Sequence, residues 1–176
     1  DGTIEHVINS VTLPYRPLHL SIDHQKKHVL VAYNNPCFIS VHQLDSSGAI
    51  SSLIKQDINL DEGIFGHQIM VTPNGKEVIL VCRGFDALDG QPEKPGALKV
   101  FDYEDGKLSF KNSIAPNHGI GFGARHLDFH KNKNWIYLAV ERQSEIHFLQ
   151  INEDATNKII EQKVSTLSHD VQPGVR

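Results

Sequence analysis

Apolar residues fall along this chain in short, strand-length runs divided by polar turns, and no segment carries the 3.6-residue stripe of an amphipathic helix. Three segments align without a gap: Leu18 to Asn34 (LHLSIDHQKKHVLVAYN), His67 to Arg83 (HQIMVTPNGKEVILVCR) and Arg125 to Glu141 (RHLDFHKNKNWIYLAVE). Each holds a short apolar strand, a polar turn (His24–Lys27, Pro73–Lys76, His130–Asn134) and a second, more apolar strand. That is a β-hairpin written three times. A third strand follows each copy, at Phe38–Asp45, Ala97–Asp105 and Glu145–Asp154, and a fourth at Ala49–Ile58, Lys107–Ala115 and Lys158–Leu167.

Four antiparallel strands in each repeat are the signature of β-propeller blades. The second strands, Val29–Tyr33 and Ile136–Val140, are apolar at nearly every position, as a sheet covered on both faces requires. A β-sandwich has no need of a repeated four-strand register. The pattern therefore predicts an all-β fold with blades at 17–58, 66–115 and 124–167. Residues 1–16 read as the last strand of a preceding blade with its linker, and 168–176 as a loop entering a further blade. The added length of the second repeat lies in Gly84–Gly96, which carries Pro92 and Pro95. Three blades fall short of the four or more that close a propeller, so apolar sheet faces are expected at both ends of the arc. A fragment of a protein about twice as long is the preferred explanation, ahead of two copies forming a six-bladed ring.

The hairpin register also gathers chemistry. The first strand starts and the second ends at the same edge, which predicts that residues sixteen apart are cross-strand neighbours. The pairs are Leu18 with Asn34, His67 with Arg83 and Arg125 with Glu141. An imidazole, two guanidiniums and a carboxylate are thus expected around one rim, at the mouth of the central channel if these are the inner strands. A surface ion pair between Arg125 and Glu141 is the competing reading.

Charge narrows the partners. The net charge is −4 over 176 residues, and no Lys/Arg run suits a phosphate backbone, so nucleic acid is not expected as a partner. No apolar run has the length of a membrane span. Cys37 and Cys82 lack metal-ligand spacing; Cys82, inside Val78–Cys82, reads as a buried free thiol, which leans towards a reducing, cytoplasmic compartment. The histidines are scattered without a metal-site pattern, and His24, His28 and His130 in the turns are expected to face solvent. The glycine-rich stretch His118–Gly123 precedes no helix and reads as a flexible entry to the third blade; His118 is an additional rim candidate.

Gly66–Lys76 (GHQIMVTPNGK), Pro95–Asp102 (PGALKVFD), Gly123–His130 (GARHLDFH) and Tyr137–Glu141 (YLAVE) resemble the lactonase family of seven-bladed propellers. That family includes bacterial 6-phosphogluconolactonases and fungal 3-carboxy-cis,cis-muconate cyclases. The resemblance covers essentially the whole chain at about half the family's usual length. It implies a site lined by His67, Arg125 and Glu141, with a further arginine from a later blade that has no counterpart here; Arg176 lies in a loop and is no substitute. It implies no metal and no cofactor.

Lactone hydrolysis would use Glu141 or His67 as base and Arg125 at the oxyanion or on a substrate anion, with Arg83 and His118 as substrate contacts. Muconate cyclisation would use the same groups to hold carboxylates and deliver a proton. A third reading is a non-catalytic propeller that binds a protein partner, through an apolar patch on Gly84–Gly96. The expected partner is otherwise a small anionic lactone or muconate.

Overall fold

The computed structural model describes residues 7–56, 60–151 and 158–165. Twelve strands are described: β1 (Pro17–Ile22), β2 (His28–Asn34), β3 (Cys37–Leu44), β4 (Ile50–Leu53), β5 (Gly66–Val71), β6 (Glu77–Cys82), β7 (Ala97–Glu104), β8 (Lys107–Ile114), β9 (Ala124–Phe129), β10 (Trp135–Val140), β11 (Glu145–Ile151) and β12 (Lys158–Ser165). They form three four-stranded antiparallel sheets, β1 to β4, β5 to β8 and β9 to β12, each in sequence order. These are the blades that the repeat predicts. The inner strands lie side by side, β1 against β5 and β5 against β9.

The alternation of side chains along each second strand explains the stacking. In β6, Val78, Leu80 and Cys82 join a core with Leu30, Ala32, Ile39 and Val41 of the first blade. Ile79 and Val81 point the other way, into a core with Leu127, Ile136, Leu138 and Val140 of the third. Leu80 is fully buried, and truncation to alanine there would cost about 2–5 kcal/mol. Only one of the two end faces expected to be exposed is so. Val29, Val31 and Tyr33 of β2 are covered by Leu13, and Tyr15 packs edge-on against Tyr33 and Phe38 at 6.0 and 5.8 Å. The far face of the third blade leaves Tyr137 and Ile146 41% and 45% exposed.

Three other expectations change. The expected pairs Leu18 with Asn34, His67 with Arg83 and Arg125 with Glu141 form in no blade, because each first strand carries a β-bulge and the pair sixteen apart lies one residue earlier. Pro17 faces Tyr33 while His19 faces Ala32; Gly66 faces Cys82 while Gln68 faces Val81; Ala124 faces Val140 while His126 faces Ala139. Leu18, His67 and Arg125 are the extra residues. The fourth strand expected at 49–58 stops at Leu53, since the chain then crosses to the second blade: Gln56 donates to the Gly106 carbonyl at 3.1 Å and accepts from the Leu108 amide at 2.9 Å. Residues 57–58 lie outside the described residues. So do 1–6, 152–157 and 166–176, and with them the expected strand start at 1–6, the turn at 152–154, the closing loop and Arg176; residues 7–16 contain no strand.

His28 is buried rather than solvent-facing. It opens β2 across the turn from Asp23, whose carboxylate accepts from the Lys27 amide at 2.7 Å, the His28 amide at 3.1 Å and the Tyr103 hydroxyl at 3.1 Å. His28 Nδ1 lies 3.0 Å from the same carboxylate and 2.9 Å from the Tyr103 hydroxyl, which belongs to the second blade. The two positions flanking the first hairpin turn thus join blades as well as strands. His24 is exposed and reaches the Thr72 carbonyl at 2.8 Å; His130 stacks edge-on with Trp135 at 5.0 Å.

Burial opposes the Asp23 charge, but the His28 side chain, the two amides and Tyr103 outweigh it, and the carboxyl titrates below its usual range. A depressed folded value gives stabilisation that is complete above the unfolded value near 3.9 and is lost as pH falls through the folded one. Asp23→Asn is expected to destabilise the protein by roughly 1.5–3 kcal/mol at neutral pH and to flatten the loss of stability below about pH 4. Urea denaturation of both proteins across that range measures this; equal stability at pH 7 would contradict it.

Candidate functional site

Each bulge turns its extra side chain out of the ladder, which is how sheets re-aim a residue. A small or cyclic residue precedes it each time, Pro17, Gly66 or Ala124. At Gly66 the reason is plain, since an added Cβ would lie 2.9 Å from the Tyr33 carbonyl. In the first blade the bulge presents Leu18, in the second His67 and in the third Arg125. The chemistry therefore starts at the second blade.

Glu141 follows β10 and opens a short 3-10 turn, Glu141–Gln143. Its Oε2 lies 2.7 Å from Arg125 Nε and accepts a hydrogen bond from Arg83 Nε of the neighbouring blade at 3.0 Å. The Arg125 contact is close but off-line for a hydrogen bond, so Arg125 Nε has charge proximity without a bonded partner. Arg83 is held from its other side by Asp86, at 2.8 Å from Nη2. His67 stands beside this group, edge-on to His126 at 4.7 Å, with its buried Nδ1 unpartnered. His67, Arg83, Arg125 and Glu141 are thus brought together at one edge. His118 is not: it is exposed on the 116–119 turn, with no described contact to them.

Sequence reasoning missed a second layer. Arg142 Nε lies 2.7 Å from Asp86 Oδ1, and its Nη1 contacts Glu93. Glu93 also accepts from the Gly121 amide at 2.6 Å. Gly123 makes room for this arginine, as a Cβ there would lie 2.4 Å from Arg142 Cβ. The insertion 84–96 therefore contributes two carboxylates to the arginines. Asp86 three residues beyond Arg83, at the start of the insertion, was the available signal. Of its large apolar side chains Leu88 alone is exposed, at 69%, while Phe85 packs edge-on to Phe65 at 5.0 Å. The stretch 118–123 is packed too, with Phe122 buried and Gly96 donating to the Gly119 carbonyl at 3.0 Å.

The electrostatics follow from this crowding. Burial, then His126 and Arg125, lower the His67 pKa to about 4, with Glu141 opposing, so the imidazole is neutral at pH 7. Burial works against the Arg83 charge, but Asp86 and Glu141 outweigh it and raise its pKa further. Arg83 and Arg142 hold Asp86 below the usual carboxylate range despite its partial burial. Among the described residues, no three His, Cys, Asp or Glu side chains group as metal ligands, and no helix is long and apolar enough to cross a membrane.

Three propeller blades, two of which present His67 and Arg125 at their inner-strand bulges, define the class, and comparison with known proteins gives the family. Residues 1–174 match the family model "Lactonase, 7-bladed beta-propeller", and the chain belongs to that family. The 6-phosphogluconolactonase of Bacillus subtilis (strain 168) is 28% identical over 161 residues, covering 88% of this chain and 43% of the relative. That of Pectobacterium atrosepticum is 28% identical over 158 residues, covering 89% and 42%. The chain thus spans less than half the length of these relatives. A periplasmic gluconolactonase of Pseudomonas aeruginosa shares the fold with a TM-score of 0.63 at 16% identity, over 89% of this chain and 44% of that one. A protein from Lactobacillus plantarum does so with a TM-score of 0.66 at 21% identity, covering 89% and 44%.

The His67 titration is a direct reading of the site. By NMR its midpoint is expected near pH 4, rising in Arg125→Gln, which removes a repelling charge, and falling in Glu141→Gln, which removes an attracting one. A midpoint near 6.5 that neither substitution moves would contradict the arrangement.

Proposed function

We propose that this protein hydrolyses a sugar lactone, with 6-phosphogluconolactone as the leading candidate. The observation that carries the proposal is the meeting, across one blade seam, of Glu141 with Arg83 and Arg125 beside a neutral His67. Family membership supports lactone chemistry at the level of the superfamily.

The geometry divides the roles. Glu141 Oε2 is occupied by two guanidiniums, so its part is to position them. His67 is neutral, which suits a proton acceptor. Water attacks the lactone carbonyl carbon as His67 takes its proton. Arg125, side chain 36% exposed, faces the oxygen that becomes negative. Collapse of the tetrahedral intermediate breaks the bond to the ring oxygen, which receives the proton back from His67. The product is the open-chain hydroxy acid. Arg83 is 10% exposed and carries two carboxylates, so it anchors the site rather than meeting the substrate alone.

Initial rates on 6-phosphogluconolactone and on unphosphorylated gluconolactone test this. Arg125→Met is expected to lower kcat/KM by about 10²–10³-fold and His67→Asn by about 10²–10⁴-fold. Because the base works unprotonated, activity should hold at neutral pH and fall as pH drops through about 4. Rates within twofold of the unsubstituted protein for both variants would remove these residues from the reaction.

A further inference from the structure

The seam between the first two blades holds a pair of thiols that the proposed hydrolysis does not use. Cys37 opens β3 and Cys82 closes β6, and both are free, Cys37 half-buried and Cys82 fully buried. Both thiols donate to the carbonyl oxygen of Glu62, at 3.0 Å from Cys37 and 3.2 Å from Cys82, so one acceptor brings the two sulfurs together. The Gly66 amide donates to Cys37 Sγ at 3.0 Å. Two glycines let the connecting backbone close over the sulfurs: a Cβ at Gly63 would lie 2.9 Å from Cys82 Sγ, and one at Gly66 would lie 3.1 Å from Cys37 Sγ.

This surrounding treats the two sulfurs differently. A Cys37 thiolate would receive hydrogen bonds from the Cys82 thiol and the Gly66 amide, and its pKa is lowered by the first of these, against burial. Lys99 supports the anion and the Glu62 carboxylate opposes it; Asp61 pairs with Lys99 at 2.8 Å. Cys82 is pushed well up, by its hydrogen bond to Cys37 and then by burial. One sulfur is thus disposed to attack and the other to resolve. Phe38, next to Cys37, and Glu62, whose carbonyl both sulfurs contact, line a cavity of about 490 Å³.

We propose that Cys37 and Cys82 are a redox pair that a peroxide converts to a disulfide between the first two blades. The Cys37 thiolate attacks one peroxide oxygen, the O–O bond breaks, and the departing hydroxide takes up a proton to become water. The resulting Cys37 sulfenic acid is then attacked by Cys82 sulfur, which loses its proton. The S–S bond forms, the S–O bond breaks, and a second water leaves. One peroxide is reduced by two electrons and two thiols are oxidised. The cross-link closes a long loop and ties the two blades together covalently.

The test is exposure of the reduced protein to hydrogen peroxide, followed by thiol counting in denaturant and peptide mass spectrometry without reductant. The expected result is loss of both thiols, one linked peptide pair containing Cys37 and Cys82, and full return of the thiols with dithiothreitol. Cys82→Ser is expected to trap a dimedone-reactive sulfenic acid at Cys37. If that variant does not fold, the linked pair in the unsubstituted protein decides. Retention of both thiols, oxidation to sulfinic acid without linkage, or links between two copies only would overturn the proposal.

Discussion

The structure depends on one requirement: the second strand of each blade is apolar on both faces, and the faces that meet between blades are covered by stacking. β6 shows it most clearly, with Val78, Leu80 and Cys82 directed at one neighbour and Ile79 and Val81 at the other. Stacking against two sheets is the arrangement that removes both faces from water. The first blade meets the same demand with a segment instead of a sheet, through Leu13 and Tyr15. Once the sheets are stacked, their inner strands fall side by side, and residues from different blades become neighbours.

Polar contacts at the inner strands follow the same repeat. The residue after each of the first two bulges reaches across the seam: His19 Nδ1 accepts from the Ile69 amide at 3.5 Å, and Gln68 brackets Leu127, accepting from its amide at 2.5 Å and donating to its carbonyl at 3.1 Å. The bulge residue itself is thereby freed from pairing. In the first blade that freedom is spent on Leu18; in the next two it goes to His67 and Arg125. One structural irregularity, repeated, thus separates a side chain that secures the seam from one available for chemistry.

Much of this was legible in the sequence, for a physical reason. Strand existence and order follow from apolar runs and turns, so the three hairpins and the third strands fall where Leu18–Asn34, His67–Arg83 and Arg125–Glu141 place them. The bulges were not legible. The first strands are only partly buried, as in β1, and a one-residue insertion there leaves little trace in the alternation. The convergence of His67, Arg125, Glu141 and Arg83 was still readable, because the alignment puts them at equivalent edge positions whatever the local pairing. What escaped was contact between elements that no repeat relates. Asp86 and Glu93 come from the insertion, Arg142 from the turn after β10, and the burial of His28 depends on Tyr103 of another blade. The meeting of Cys37 with Cys82 is of the same kind, since the two occupy different strands of their blades.

The central claim is that stacking of the second and third blades assembles the charged site, with Glu141 as the carboxylate that joins them. A double-mutant cycle on stability, with Arg83→Gln, Glu141→Gln and the pair, measures that link without reference to any substrate. Arg83 is largely buried and Glu141 is 30% exposed, so solvent screening reduces the coupling below that of a fully buried pair. A coupling energy of about 1 kcal/mol is expected. Additivity of the two single substitutions, within about 0.3 kcal/mol, would contradict it.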